Sequence, residues 1–471
     1  MYVDHMHHCQ DMKASPEPLS ARSALKIRAN GIQMNTCAEI HVDDLAATPT
    51  AATRGWLSRK ERPASTTSTI ALFGNFGSNN FGNEGSLLAM VEFLRRERPE
   101  ARLFCICTDP SAIRDSLGMP AIPIRRSGRF GELSHKIVRT PLKVLGRVRN
   151  LAKAFQDIRR ADVMIIPGTG ILDDFGEPPH GMPLDILMWC FAARMSGTKV
   201  AFASIGAGPI GHPVSRWLMV SAAKLAHYRS YRDARSKEFM RNAGLNVEND
   251  AVYPDVVFKL PTPKPANSAE STSVTSRTGV LTVGLGVMKY DGWYGFAHDG
   301  GAVFDLYLDK LAQFVTHLLE RGHRVKLLTG ETTDMEAVDA LRARLRVVVA
   351  GAAEERVSTG LVSSLHDLME EISETDIVIA TRFHNIVCAL KMEKPVISLG
   401  YSAKNDALLA EMGLDEYCQH VDTFDVEVLI AQFEKGIIET QKIKNAIRAG
   451  NLAFMEQLDL QDKRLLSEIL S

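Results

Sequence analysis

The sequence predicts an α/β protein with two Rossmann-like domains that face a cleft. Strand patterns alternate with helix patterns over most of the chain, and several strands are apolar throughout, as in TIALFG and DVMIIP. Strands of this kind form parallel sheets that helices cover on both faces. Between residues 261 and 278 the composition changes to Pro, Ser, Thr and Asn, and the alternation then restarts. Two such units place a binding site in the cleft between them.

The apolar runs and the turn residues between them give the order of the elements. The first unit is predicted to have strands at 69–74, 102–107, 162–167, 199–205 and 228–231 and helices at 84–96 and 183–195. The second is predicted to have strands at 280–285, 324–328, 346–349, 377–380 and 396–399 and helices at 304–320, 361–372 and 386–390.

Composition shifts divide the chain into five predicted parts. Residues 1–66 have little hydrophobic periodicity, so we expect a disordered extension or the product of an early start codon. An N-terminal α/β domain at 67–260 and a linker at 261–278 follow. A C-terminal α/β domain occupies 279–425, and helices occupy 426–471.

Composition also narrows the class of protein and its compartment. The chain has 471 residues, 45% of them hydrophobic and 24% charged, which is typical of a soluble globular protein. A formal net charge of −1 argues against a general nucleic-acid binder. Seven cysteines without regular spacing favour a reducing compartment, and the N-terminus lacks the apolar core of a secretory signal. We therefore expect a cytoplasmic protein.

A Gly- and Asn-rich loop follows the first strand, with the sequence GNFGSNNFGNEGS at residues 74–86. Its candidate binding residues are Asn80, Gly82, Asn83 and Glu84. Free N–H groups at the start of a helix suit a phosphate or carboxylate. The alternative is a long turn that only caps the next helix.

Two further glycine-containing strand ends would let a ligand approach the backbone. The first is Gly168-Thr169-Gly170, and the second contains Gly206 and Gly208. The second formally matches the dinucleotide-binding signature, but Pro209 removes an N–H that a pyrophosphate would need, so we reject a nicotinamide cofactor.

No metal site is predicted. Adjacent carboxylates at Asp173 and Asp174 are expected to cap the next element rather than to bind a metal. The histidines near the N-terminus, His5, His7 and His8, lie in a region without a second group of ligands.

Cationic residues mark two other strand ends. Arg232 precedes Asp233, which can cap the next helix and hold the arginine, so a purely structural role is the alternative. Arg382 and His384 follow the strand DIVIA, where parallel sheets bind ligands. An arginine offers a planar fork for carboxylate or phosphate, and a histidine can move a proton near neutral pH.

The loop after the last strand adds Tyr401 and Lys404 near the same edge of the sheet. Lys404 supplies a second cation there, next to Arg382 and His384.

From about residue 69 to residue 419 the chain resembles the polysaccharide pyruvyl transferase family. The pieces that match the family occur in its order. They are Asn-x-Gly-Asn-Glu at 80–84, Gly-Thr-Gly at 168–170, SIGAGP at 204–209, Arg-Asp-x-x-Ser at 232–236, Pro-Asp at 254–255, Arg-Phe-His at 382–384 and Tyr401 with Lys404. Phe383 replaces a commoner leucine and Thr169 a commoner glycine, which could narrow the site.

The resemblance implies a fold of the glycosyltransferase B type and a pyruvyl transfer from phosphoenolpyruvate to a sugar of a surface polysaccharide or its lipid-linked precursor. It implies a pyruvate ketal as product and no cofactor besides this co-substrate. On that basis we assign Arg232 and Arg382 to the donor's phosphate and carboxylate, with Lys404 as a further donor-binding residue. His384 is the expected general acid and base.

Two functional alternatives stay open: a glycosyltransferase that uses a nucleotide sugar, and a non-catalytic sugar-binding scaffold. Residues 125–160 are also unexplained by the resemblance, because they hold eleven Lys and Arg against two acidic residues, in an amphipathic run broken at Pro141. Such a segment can lie on an anionic membrane surface or be a solvated helix with one packed face.

Overall fold

The computed structural model describes residues 67–126, 136–174, 176–263, 279–292, 300–348 and 355–471, with side chains described only from residue 146 in the helix that begins at Lys136. The predicted N-terminal extension and most of the predicted linker lie outside these residues. So does the stretch 127–135 of the basic segment.

Seven parallel strands form the first sheet, in the order β3-β2-β1-β4-β5-β6-β7. The strands are β1 (Thr69–Phe73), β2 (Arg102–Cys107), β3 (Ala121–Pro123), β4 (Val163–Pro167), β5 (Lys199–Ile205), β6 (Tyr228–Tyr231) and β7 (Ala251–Val252). The chain order reverses between β1 and β4, which opens a crevice at the carboxyl ends of those two strands.

Helices cover both faces of this sheet because successive strand residues point to opposite sides. Ile70 and Leu72 of β1 belong to one core cluster, whereas Ala71 and Phe73 belong to another. The first cluster is covered by α1 (Phe81–Glu97) and α2 (Pro110–Leu117), and the second by α3 (Lys136–Ile158), α4 (Met182–Met195), α5 (Pro213–Lys224) and α6 (Ala234–Asn242).

A second parallel sheet has six strands in the order β10-β9-β8-β11-β12-β13. Its strands are β8 (Thr282–Gly286), β9 (Arg324–Leu328), β10 (Val357–Thr359), β11 (Ile377–Ala380), β12 (Val396–Gly400) and β13 (Cys418–His420). The helices around it are α7 (Gly300–Glu320), α8 (Met335–Val348), α9 (Leu365–Ser373), α10 (Phe383–Lys391), α11 (Ala403–Glu411) and α12 (Val426–Ile438). The predicted fold of two Rossmann-like domains is therefore confirmed.

Two predicted details of secondary structure are wrong. Residues 346–349 were expected to form a strand, but α8 continues to Val348, and the strand of this region is β10 instead. Val347 and Val348 are β-branched yet 87% and 62% exposed, so no sheet packing supports a strand there. The break at Pro141 is absent, because α3 runs through it; an internal proline removes one helical hydrogen bond without always ending the helix.

The last long helix, α13 (Thr440–Arg464), returns from the second sheet to the first. Phe454 packs edge-on against Phe258, with ring centroids 5.0 Å apart. Leu465 and Ile469, just after the helix, are buried in the core beneath β1. Residues of α13 and of the turn after it thus contribute to the cores of both sheets.

The strand β5 ends in a strained residue that α13 supports. Ser204 has φ of +49°, a left-handed conformation that is uncommon outside glycine. Its backbone N–H donates to Ser230 Oγ at 2.9 Å, and its hydroxyl donates to Gln461 Oε1 at 3.0 Å. Gln461, fully buried on α13, donates in turn to Ser230 Oγ at 2.9 Å.

Among the helices in the described parts of the chain, none combines the length and the apolarity needed to cross a membrane.

We predict that Gln461→Ala lowers stability by about 1–3 kcal/mol, because two buried hydroxyls lose their partner. The urea midpoint, followed by circular dichroism, measures this change. Gln441→Ala on the exposed face of the same helix is the matched control. Equal midpoints for the two variants would contradict the assignment.

Candidate active site

A pocket of about 300 Å³, including space open to solvent, lies where the two sheets face each other. Its lining comes from both domains and from α13: Arg232, Asp233, Pro254, Asp255, Phe383, Lys404, Leu408, Glu411 and Phe454. Arg232 and Phe383 follow the carboxyl ends of β6 and β11, which is the edge where open α/β sheets bind ligands.

His384 lies in the first turn of α10 and reaches across to the first domain. A Cβ atom added to Gly82, near the start of α1, would lie only 2.0 Å from His384 Nδ1. Only glycine therefore leaves room for the imidazole at this position. The side chain of His384 keeps 18% of its surface exposed.

The pKa of His384 lies well below its usual range. Removal from water is the main cause, followed by the positive charges of Arg232, Lys404 and Arg382. The imidazole is therefore neutral near pH 7. Its Nε2 atom is buried and has no hydrogen-bond partner among the described residues.

Asp255 lies between Arg232 and His384. Its Oδ2 atom is 3.5 Å from Arg232 Nη1 and 3.8 Å from His384 Nε2, both longer than a direct hydrogen bond. The other oxygen accepts from the Val257 N–H at 3.0 Å and so caps a short 3₁₀ turn. Burial raises the pKa of this carboxyl group, while Arg232 lowers it.

The guanidinium of Arg232 is held only loosely. It is 3.6 Å from Asp233 Oδ2, and Nε is buried without a hydrogen-bond partner among the described residues. Asp233 mainly caps α6 by accepting from the Ser236 N–H at 2.6 Å, as the sequence predicted. A Cβ at Gly206 would lie 2.6 Å from Arg232 Cζ, so Gly206 makes room for this side chain.

Arg382 is placed differently from Arg232. Its Nε and Nη2 atoms donate to the two oxygens of Asp334 at 3.0 and 2.6 Å, and Nη2 is also 2.7 Å from Glu331. We expected the guanidinium group of Arg382 to be free for a donor, but the carboxylates of Asp334 and Glu331 bind it. The donor-binding role of Arg382 therefore stays a prediction.

Lys404 stands over two aromatic rings at the mouth of the pocket. Its ammonium is 5.4 Å from the ring centre of Phe383 and 5.0 Å from that of Tyr401. Arg232 stacks on Phe383 as well, at 4.9 Å. Phe383, which the sequence treated as a mild departure from the family, thus holds two cations near one another.

The loop before α1 contacts the second domain. Asn80 caps α1 by accepting from the Asn83 N–H at 3.2 Å, and its own amide group lies 3.5 Å from Glu331. Glu84 accepts from the Gly77 N–H at 2.6 Å. Burial raises the pKa of Glu84 to about 7, against the effect of the two N–H groups that bind it.

The remaining glycines of the two motifs have different neighbours. The Gly170 backbone is close to its guanidinium, since an added Cβ would be 3.6 Å from Nη2. Gly208 faces Asp173 instead. Gly168 has φ of +53° and packs against Val256 and Ser86. Thr169 is buried.

Four acidic residues at the site were not predicted as functional residues. Asp255 was part of a matched motif, Pro-Asp, which could have marked it. The others, Glu331, Asp334 and Glu411, belong to none of the matched motifs. Only the tertiary packing places them near the cations. Among the described residues, no group of three or more His, Cys, Asp or Glu is arranged to hold a metal ion.

Comparison with known proteins identifies the family. The family model of polysaccharide pyruvyl transferase matches residues 80–403, most of the chain. The chain belongs to this family. The match covers most strands of both sheets and the motifs as far as Tyr401, and it ends one residue before Lys404. The chain therefore acts as a transferase on polysaccharide. A search of curated proteins gave no sequence match.

Solved structures resemble the fold at low identity. Anabaena HepE, solved in complex with UDP and glucose, superposes with a TM-score of 0.54 at 14% identity, over 85% of this chain and 99% of its own. The UDP-GlcNAc 2-epimerase from Methanocaldococcus jannaschii gives 0.51 at 12% identity, over 78% and 92%. The likeness places this chain in the glycosyltransferase B type of fold.

We predict that Gly82→Ala lowers the transferase activity about 100-fold, the cost of displacing a reacting group by roughly 1 Å. The added methyl group would force the His384 ring from its position. Activity and the thermal unfolding midpoint are measured together. Gly146→Ala is the control, because a Cβ there meets nothing within 4 Å. Full activity of Gly82→Ala would show that the ring position is unimportant.

Proposed function

We propose that this pyruvyl transferase moves the pyruvyl group of phosphoenolpyruvate onto a sugar of a surface polysaccharide or its lipid-linked precursor, as a pyruvate ketal. The observation that carries the proposal is the pocket itself: Arg232 and Lys404 line it, and Asp255, which also lines it, lies 3.8 Å from the buried, unpartnered Nε2 atom of the neutral His384.

The donor carries a phosphate and a carboxylate, so it needs more than one cation. Arg232 is the better suited of the two arginines, because its contacts of 3.5 and 3.6 Å are weak beside those of 2.6–3.0 Å that hold Arg382. An oxyanion can replace weak contacts at little cost and gain charge-assisted hydrogen bonds. Lys404 provides the second charge, and Arg382 keeps the first turn of α10 in place.

The reaction balances without a cofactor. A proton adds to the methylene carbon C3 of the donor, which becomes a methyl group and leaves positive charge at C2. One sugar hydroxyl forms a bond to C2 and loses its proton. The C2–O bond to phosphate then breaks, and phosphate leaves with the electron pair. A second hydroxyl of the same sugar bonds to C2, loses its proton and closes the ketal ring.

His384 is the residue proposed to deliver the proton to C3. Burial and, after it, three cations keep it neutral in the free protein, but a donor with several negative charges offsets the cations and raises its pKa. Donor binding thus charges the acid that the first step needs. Asp255, whose own pKa is raised by burial, lies 3.8 Å from Nε2 and can take up or return the proton.

A glycosyltransferase that uses a nucleotide sugar is the second candidate. Anabaena HepE was solved with UDP and glucose, and the fold is shared. Such an enzyme needs an acidic residue near the edge of the second domain to bind the ribose, and Glu411 at the end of α11 lines the pocket. Arg232 and Lys404 in the pocket, with His384 beside it, favour the smaller and more highly charged donor.

We predict that wild-type protein binds phosphoenolpyruvate in isothermal calorimetry and that Arg232→Ala weakens this binding at least about tenfold, since a hydrogen bond to a charged group contributes roughly 1.5–3 kcal/mol. Arg235→Ala, an exposed neighbour on α6, is the matched control and keeps wild-type affinity.

Uridine diphosphate glucose is titrated in parallel. If the protein binds this nucleotide sugar but not phosphoenolpyruvate, the proposal is wrong and the glycosyltransferase is favoured. Binding of neither would point to the non-catalytic scaffold.

We predict that His384→Gln retains donor binding but loses turnover by about 10²–10⁴-fold, the usual contribution of a positioned acid. In wild type, kcat/KM falls as pH rises, because the free protein must protonate a histidine whose pKa lies below its usual range. The residual activity of His384→Gln should not show this fall of kcat/KM at high pH. The donor's phosphate titrates equally in both proteins, so the difference between the two profiles isolates His384. Identical profiles would rule His384 out as the acid.

A further inference from the structure

Three neighbouring helices of the first domain expose apolar side chains on one outer surface. On α3, α4 and α5 the exposed residues are Val148, Phe191, Met195, Val214 and Trp217, with Trp217 63% exposed. We call these five residues, with the cations on the same helices, the α3–α5 face. Phe155 and Phe191 join α3 to α4 across it, with ring centroids 6.0 Å apart.

The charges on the α3–α5 face are of one sign. Among the described side chains of the three helices, the acidic residues are Asp157 and Asp185, and both are buried. They pair with arginines: Asp157 with Arg126, and Asp185 with Arg125 and Arg147. The other cations on these helices are Arg149, Lys153, Arg194, Arg216 and Lys224.

This charge is local, since the whole chain has a formal net charge of −1. The next helix on the same side of the sheet, α6, already exposes Glu238. The described side chains of the three helices combine exposed apolar residues and cations without an exposed acid. Such a surface can bind an anionic lipid bilayer: the apolar groups enter the boundary of the headgroups, and the cations contact the phosphates. Tryptophan is the residue most suited to that depth.

We propose that the α3–α5 face docks this transferase onto an anionic membrane surface. The loop in which Gly206 packs against Arg232 leads to the start of α5, and so connects the pocket to one helix of the face. A saccharide acceptor carried on a membrane lipid would then enter the cleft from the side of the bilayer. That last step rests on the proposed function, whereas the docking itself does not.

The test is cosedimentation with vesicles of phosphatidylcholine alone and of phosphatidylcholine with an equal share of phosphatidylglycerol. We expect binding to the anionic vesicles only, weakened by added salt. Trp217→Ser should weaken it at least about tenfold through lost apolar burial. Arg149→Gln and Lys224→Gln should each weaken it about fivefold, the fold-change of about 1 kcal/mol per cation.

Matched controls come from α13, on another part of the surface. Leu452→Ser removes a side chain that is 68% exposed, and Lys442→Gln removes a cation; both should bind vesicles as wild type does. Because all the substituted residues are exposed, thermal unfolding midpoints should stay unchanged. The emission of Trp217 in wild type should also shift to shorter wavelength on binding.

Three results would overturn the docking proposal. They are no binding to anionic vesicles, equal binding by the Trp217→Ser and Leu452→Ser variants, and a dimer in sedimentation velocity that Trp217→Ser dissociates while vesicles do not bind. The last would assign the face to a second copy of the chain. Vesicle binding by a protein that does not bind phosphoenolpyruvate would leave the docking standing and remove the proposed donor. Donor binding without vesicle binding would do the reverse.

Discussion

The packing of the His384 ring against Gly82 sets how closely the two α/β domains approach each other. The first turns of α1 and α10, one from each domain, meet at this point. Gly82 on α1 has no side chain, and the imidazole of His384 on α10 fills the space. The ring is thereby withdrawn from water and placed among cations from both domains, which is what depresses its pKa. The electrostatics of the pocket follow from this single contact, since a wider cleft would rehydrate the ring and restore its ordinary titration.

The two arginines of the site differ in how firmly other residues bind their guanidinium groups. Both side chains are about equally buried, yet Arg382 has short contacts with two carboxylates, while Arg232 has only long ones. A buried arginine with good internal partners is a fixed part of the scaffold. One with poor partners keeps the capacity to bind an anion, because little has to be broken first. Aromatic stacking on Phe383 holds Arg232 in position without using its donors.

The sequence predicted the two-sheet fold and most strands, because apolar runs and turn residues are local signals. It failed at residues 346–349, where β-branched valines lie on the exposed end of a helix and only the packing of α8 decides the outcome. At the site, motifs located Arg232, His384 and Lys404, but they could not show that Glu331 and Asp334 occupy the fork of Arg382. That pairing joins residues some 50 positions apart in sequence, so no local pattern records it.

The C-terminal helix limits how the cleft can open. α13 supplies Phe454 to the pocket wall and, farther along, Gln461 to the strained turn at Ser204. A hinge motion that separated the domains on this side would have to pull a fully buried glutamine from two serine hydroxyls, at a cost of roughly 1–3 kcal/mol for the groups left unpaired. On the side of the cleft away from α13, these residues make no such contact. Opening of the cleft is therefore less hindered on that side than on the side closed by Phe454 and Gln461.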